Sequence, residues 1–296
     1  IKSFLARLES IDYPYKPKGM YSVEAINKNE SIDIAVISTT TDGRYKEAMA
    51  ALDARIPNIL LEKPASRSLH ECSVLEQLAR ERKIRIAVNH PMRYLQIYQV
   101  IKKLLTISNL GELSTMSVNA GNFGLAMNAC HYFEAFRYIS NESVVSVSAD
   151  FDEQKVKNPR GDQFSDVSGS MCAKTASGKR LFVNACMKSG HGLHVTYLTN
   201  NARVTVDELS GELVISKRVE SEMNMPTTRY ALASSSTHQQ IEPFELINST
   251  SRVIIDLLND GDHPTIQDGK HAIKSLICAY HSDKANGKFI NMNDIS

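Results

Sequence analysis

A chain of 296 residues has room for two domains, each large enough for its own core. Its 34 basic and 33 acidic side chains leave a net charge of +1, which gives no general pull toward nucleic acid. No apolar run approaches the roughly 20 residues that cross a bilayer, and five scattered cysteines without C-x-x-C spacing suit free thiols in a reducing cytoplasm.

In chain order, Ile32-Asp33-Ile34-Ala35-Val36-Ile37 is the near-continuous apolar run expected of a parallel strand buried on both faces. A polar turn over residues 38–43 leads into a helix with Tyr45, Ala48, Met49, Leu52 and Ile56 at helical spacing, with Asp42 near its start as a cap. The short strand of residues 58–61 then ends in Glu62-Lys63-Pro64. Open α/β sheets keep their ligands in the crevice beyond the carboxyl ends of the strands. The proline restricts its own backbone and that of the lysine before it, so Lys63 is delivered there in a defined direction. A lysine shielded from water beside a cationic ring gives up its proton more readily and can serve as a general base.

Ser68 and Glu71 read as a capping box for a helix with Leu69, Cys72, Leu75 and Ala79 on one stripe. The strand of residues 84–88 runs into Asn89-His90-Pro91-Met92-Arg93-Tyr94, where His90 either lines the cleft or sits on the surface. Strands alternating with helices through short connections predict βαβ units and a parallel sheet. Ile97, Val100, Ile101, Leu104 and Leu105 share one helix face that joins the two halves.

Beyond it the pattern changes to strands, over residues 113–119, 144–151, 167–174, 180–187, 193–199, 203–207 and 212–216. Ser177-Gly178 and Ser210-Gly211 favour hairpin turns. Leu181, Val183 and Ala185 alternate with Phe182, Asn184 and Cys186, so one face of the sheet is covered and one is free. A helix over residues 128–139 groups Asn128, His131 and Glu134, and the carboxylate three residues on from the histidine is placed to orient its ring. Residues 217–237 read as a long connection, mobile or lying over the site. The fold class is an α/β Rossmann-type parallel sheet over residues 1–108, incomplete at its N-terminus, followed over residues 109–296 by an α+β domain with a large, mostly antiparallel open sheet.

The order of the Ile-Ser-Thr turn, helix, Leu-Leu-Glu-Lys-Pro, helix, strand and Arg-Tyr resembles the glucose-fructose oxidoreductase / inositol dehydrogenase / rhizopine-catabolism (Gfo/Idh/MocA) family. The closing His263-Pro264-Thr265-Ile266, Asp268-Gly269 and Asn286-Gly287-Lys288 are similar to that family's last helix and exit. The resemblance implies an oxidoreductase that uses NAD or NADP to move a hydride to or from a secondary alcohol of a sugar, nucleotide-sugar or cyclitol. It implies that Lys63 and His131 are catalytic, and that Ser38, Thr39, Thr40, Glu62, Lys63, Pro64 and Arg93 line the cofactor. Lys63, Asn122, Asn128 and His131 would surround the substrate, with no metal. It further implies a homo-oligomer assembled through the free face of the sheet, while the charge, hydropathy and cysteine usage lead us to expect a cytoplasmic protein with no nucleic-acid or membrane partner.

The chain departs from the family's pattern at three places. The family opens on a Gly-x-Gly-x-x-Gly turn that holds the pyrophosphate at a helix N-terminus. Nothing before residue 32 has this turn, and Gly121-Asn122-Phe123-Gly124 has the wrong spacing. The sequence is therefore expected to be a fragment of a longer protein, because loss of a central strand would bare apolar edges; the other reading is that the first half-domain was lost. Met127 stands where the family's acid is expected, four residues before His131, and Arg44 stands in place of a common histidine. These departures keep open a second class of function, a non-catalytic relative that senses a metabolite or binds a regulatory partner.

Overall fold

The computed structural model describes residues 31–107, 110–121, 123–157, 161, 164–190, 192–223, 225–242 and 246–296. Ala35–Ile37 (β1), Asn58–Leu61 (β2) and Arg85–Val88 (β3) form a parallel sheet in that order, linked by helices Thr41–Asp53 (α1) and Leu69–Arg82 (α2). Every residue of β2 is buried, as a central strand between two helical layers requires. Val36 in β1 remains 53% exposed, because β1 is an edge strand among the described residues. The caps differ from expectation. Thr40, not Asp42, occupies the N-cap of α1 and makes no side-chain bond there. Ser68 accepts from the Glu71 amide at 3.2 Å, but the Glu71 carboxylate turns to the Arg67 amide at 3.0 Å, so only half of the box forms.

A turn of 3-10 helix, Pro91–Tyr94, and helix Gln96–Ile107 (α3) lead to the second sheet. Its strands are Leu113–Gly121 (β4), Val144–Lys157 (β5), Ser165–Thr175 (β6), Arg180–Cys186 (β7), His194–Thr199 (β8), Ala202–Asp207 (β9), Glu212–Lys217 (β10), Ser235–Gln240 (β11) and Ile290–Asn291 (β12). The order is β11-β10-β9-β8-β4-β7-β6-β5-β12, with β4 and β7 parallel and every other neighbour antiparallel. Leu181, Val183 and Ala185 face the core and Phe182, Asn184 and Cys186 the solvent, matching the alternation in sequence. The covered face packs on Leu125–Ser140 (α4), whose Ala129, Phe133 and Phe136 are fully buried.

The segment expected to be a connection ends instead in β11, which lines the sheet edge and is exposed along its whole length. Its serine, threonine, histidine and glutamine side chains carry no apolar alternation, so backbone pairing alone makes it a strand. The last helices, Leu246–Leu258 (α5) and Ile266–Lys284 (α6), return to the small sheet. Val253 and Leu257 pack on Leu60 and Ala87, while Ile266 and Ile273 join the core of Leu61 and Val88. Gly269 permits this contact, since a Cβ there would come within 2.8 Å of Val88. Among the described residues no helix is long and apolar enough to cross a membrane.

Candidate active site

The parallel register sets Leu61 beside Val88, so Lys63 and His90 are each two residues past the end of neighbouring strands. The carboxyl ends of β2 and β3 thus deliver a lysine and an imidazole to one crevice. Three ties hold the Glu-Lys-Pro turn, whose Lys63-Pro64 peptide is cis. Arg44, buried in α1, donates to the carbonyls of Pro64 and Thr39, the latter at 2.5 Å. Asn89 donates to the Glu62 carboxylate at 2.6 Å. Lys63 Nζ crosses the crevice to the carbonyl oxygen of Met127 at 2.7 Å. The backbone of Met127 therefore meets the ammonium where the family resemblance calls for an acidic side chain.

Asp166 was not singled out by the sequence reading. The N-cap of helix α4 is Gly124, which has no side chain to cap it. The buried Asp166 carboxylate of β6 accepts instead from Ala126 N at 2.7 Å and Met127 N at 3.1 Å. These amides lack intrahelical partners, and an anion beside them also meets the positive end of the helix. A side chain at residue 124 would fall on that carboxylate, so the glycine leaves room for it. No local signal marks a residue forty positions downstream as a cap.

One turn along α4, His131 meets His90 edge to face, with ring centroids 5.8 Å apart and planes at 85°. The Nδ1 atoms of both rings are buried without a protein partner. Burial and then the Lys63 charge push the His90 imidazole down to about 3. Burial, Lys63 and His90, in that order, hold His131 well below its usual value. Both rings are therefore neutral at neutral pH, able to accept at one nitrogen and donate at the other.

Neutral burial has a consequence for stability. The folded His90 binds no proton until about pH 3, whereas the unfolded ring titrates near 6.5. Stability is thus untouched above the unfolded value and falls as pH drops below it, by about 1.4 kcal/mol per pH unit for each such ring. His131 acts in the same direction. Urea unfolding between pH 7 and 4 checks this; a midpoint that stays level across that window refutes it.

Glu134 does not orient His131. Its carboxylate is fully buried and accepts from Arg93 Nε at 3.0 Å and, more closely, from Arg93 Nη2. Arg93, expected to line the cofactor, is instead 4% exposed and reaches Asp262 at 3.4 Å and Asp268 at 3.7 Å as well. The reason is electrostatic: a carboxylate buried in a helix interface requires a cation, and Arg93 approaches it more closely than Arg137, which stands 3.8 Å away.

The remaining predicted residues divide between two places. Ser38, Thr39 and Thr40 form the exposed turn beyond β1, at the carboxyl end of the small sheet. Asn128 donates to Gly124 O at 2.8 Å and lines, with His131, a cavity of about 240 Å³ bounded also by Met92, Phe123, Leu193 and Glu208. Asn122 lies outside the described residues. The crevice suits the nicotinamide and ribose end of a dinucleotide. It offers Lys63, the exposed Ser38–Thr40 turn and, at α1, first-turn amides that the Thr40 side chain leaves uncapped.

Among protein families, the oxidoreductase family with an NAD-binding Rossmann fold matches residues 6–90. The scyllo-inositol 2-dehydrogenase (NADP(+)) IolW of Bacillus subtilis is 24% identical over 124 residues, 41% of this chain and 34% of that protein. The chain spans about a third, or less, of the length of the curated relatives it matches. Among solved structures, a super-repressor mutant of Gal80p from Saccharomyces cerevisiae aligns with a TM-score of 0.76 at 11% identity, over 99% of this chain and 88% of that one. An oxidoreductase from Agrobacterium radiobacter, in complex with NAD+, L-tartaric acid and magnesium, aligns with a TM-score of 0.73 at 15% identity, over 92% and 83%. At these identities the structural likeness is one of fold.

Proposed function

Because the chain belongs to the Gfo/Idh/MocA oxidoreductase family, with its NAD-binding Rossmann domain, we propose that it transfers a hydride between NAD or NADP and a secondary alcohol of a sugar, nucleotide-sugar or cyclitol. The observation that carries this reading is the reach of Lys63 Nζ to Met127 O, one helical turn before His131. It brings the Lys63 amine across the crevice to the part of α4 that carries the neutral His131 imidazole. Lys63 as the neutral amine takes the hydroxyl proton on oxidation, and as the ammonium returns it on reduction. His131 holds the same oxygen by a hydrogen bond and does not itself change charge near neutral pH. Asn128 faces the substrate beside it, while the Ser38–Thr40 turn and the Glu62–Pro64 loop lie along the cofactor. The nicotinamide, when bound, accepts or gives the hydride. The exposed apolar residues Phe182 and Leu198, on the solvent face of the large sheet, support assembly of copies through that face.

Replacement of His131 tests the assignment. Because its Nδ1 has no protein partner, His131→Asn strands no buried group, and the melting temperature should move little. A ring that holds the reacting hydroxyl predicts a raised KM together with a lowered kcat. Unchanged kinetics at full stability would remove His131 from the mechanism.

A second reading, a binding protein that has kept the fold, is favoured by Met127 at the position where an acid is expected. It predicts cofactor or metabolite binding with no turnover across a panel of polyols and their ketones.

A further inference from the structure

The cavity that His131 lines is lined also by a buried acid that the proposed chemistry does not use. Glu208 follows β9, is 5% exposed, and has its amide bonded to Leu193 O at 3.0 Å. Its carboxyl oxygens accept from two buried phenols, Tyr98 on one oxygen and Tyr132, at 3.0 Å, on the other. Among the described residues no ion pair reaches it. Arg252, which lines a second cleft together with Glu208, donates to the Tyr94 carbonyl at 3.2 Å. Burial pushes the Glu208 carboxyl above its usual range against the two phenol bonds.

The cavity therefore has a mixed lining: the neutral His131 and Asn128, the acid Glu208, and the apolar Met92, Phe123 and Leu193. A volume of about 240 Å³ suits a compact substituted ring better than a long chain.

We propose that Glu208 is a ligand-recognition residue and that the cavity takes an amino alcohol, with its hydroxyl at His131 and a protonated amine at Glu208. The inference rests on the reading of His131 as the group that holds the reacting hydroxyl. A buried carboxylate holds about four acceptor sites, and the phenols occupy two, which leaves room for an ammonium donor. An ammonium supplies the opposite charge that the protein does not place beside Glu208, and a charge-assisted hydrogen bond forms in a site of low dielectric. A hydroxyl in the same place donates to the carboxylate but brings no opposite charge. A carboxylate or phosphate meets repulsion. The aliphatic face of the ring rests on Phe123 and Tyr132, whose own rings are 6.2 Å apart.

Calorimetry with three probes tests this, with NADP+ in excess: trans-4-aminocyclohexanol, trans-cyclohexane-1,4-diol and trans-4-hydroxycyclohexanecarboxylate. The amine should bind about ten- to a hundredfold more tightly than the diol, the range expected when the donor to a buried carboxylate also carries the opposite charge, and the carboxylate should not bind. Glu208→Gln should bring the amine to the affinity of the diol. Equal affinity of amine and diol for the wild-type protein overturns the proposal, as does failure of the amine to bind or a preference that survives Glu208→Gln. The wild-type comparison decides the matter even where the variant does not fold. Oxidation of a polyol without amine preference would overturn this inference and leave the hydride-transfer reading standing. Amine-selective binding without turnover would support it and count against that reading.

Discussion

Lys63→Met is expected to lower kcat by about 10²–10⁴-fold, the usual loss when a general base is removed. The amine leaves a carbonyl, Met127 O, that is already shared with its own helix, so no buried charge is stranded. The fold should survive for the same reason, and cofactor affinity should change little, since the lysine moves a proton and does not anchor the dinucleotide. The substitution has a second signature. Lys63 is one of the groups holding His90 and His131 below their ordinary range, so its removal should raise the titration of both rings, which proton NMR of the imidazoles would follow. A variant that keeps most of its kcat would dismiss Lys63 as the base. Imidazole titrations that stay where they were would place Lys63 away from both rings.

Arg93→Met should cost about 3–5 kcal/mol of stability, because it strands Glu134 in a site with no exposed side-chain surface. Arg137, 3.8 Å from Glu134, is too far for a full hydrogen bond and is already held by Asp268 at 2.7 Å. The result separates two roles. An arginine that lines the cofactor would weaken dinucleotide binding and leave the melting temperature in place; an arginine that neutralises a buried acid does the reverse. Pairing the change with Glu134→Leu should restore much of the loss, since apolar replacement of both partners removes the stranded charge. Failure of the double variant to recover would mean that the wider cluster with Asp262 and Asp268, and not the Glu134 contact, carries the cost.

The elements that could be read in advance are those with a local period. Buried runs such as Asn58–Leu61, the alternation of Arg180–Cys186 and the stripe of Leu69, Cys72, Leu75 and Ala79 each declare their own geometry within a few residues. So does Lys63, because a lysine between a buried strand and a proline has one direction in which to go. β11 had no such period, and its strand exists only because the edge of β10 offers it partners.

The partners of charged groups were beyond local reading. His-x-x-Glu suggested that Glu134 serves His131, yet Arg93, forty-one residues earlier, takes the carboxylate. Asp166 caps a helix by accepting from an amide forty residues before it, and Glu208 meets phenols 110 and 76 residues away. The sequence by itself determined the layers, the crevice and the lysine within it, because periodicity and backbone restriction act over short spans of chain. Only the tertiary structure decided which buried charges neutralise one another and that His90 and His131 meet edge to face, because a buried ion pair or orphan nitrogen depends on whatever distant elements happen to close around it.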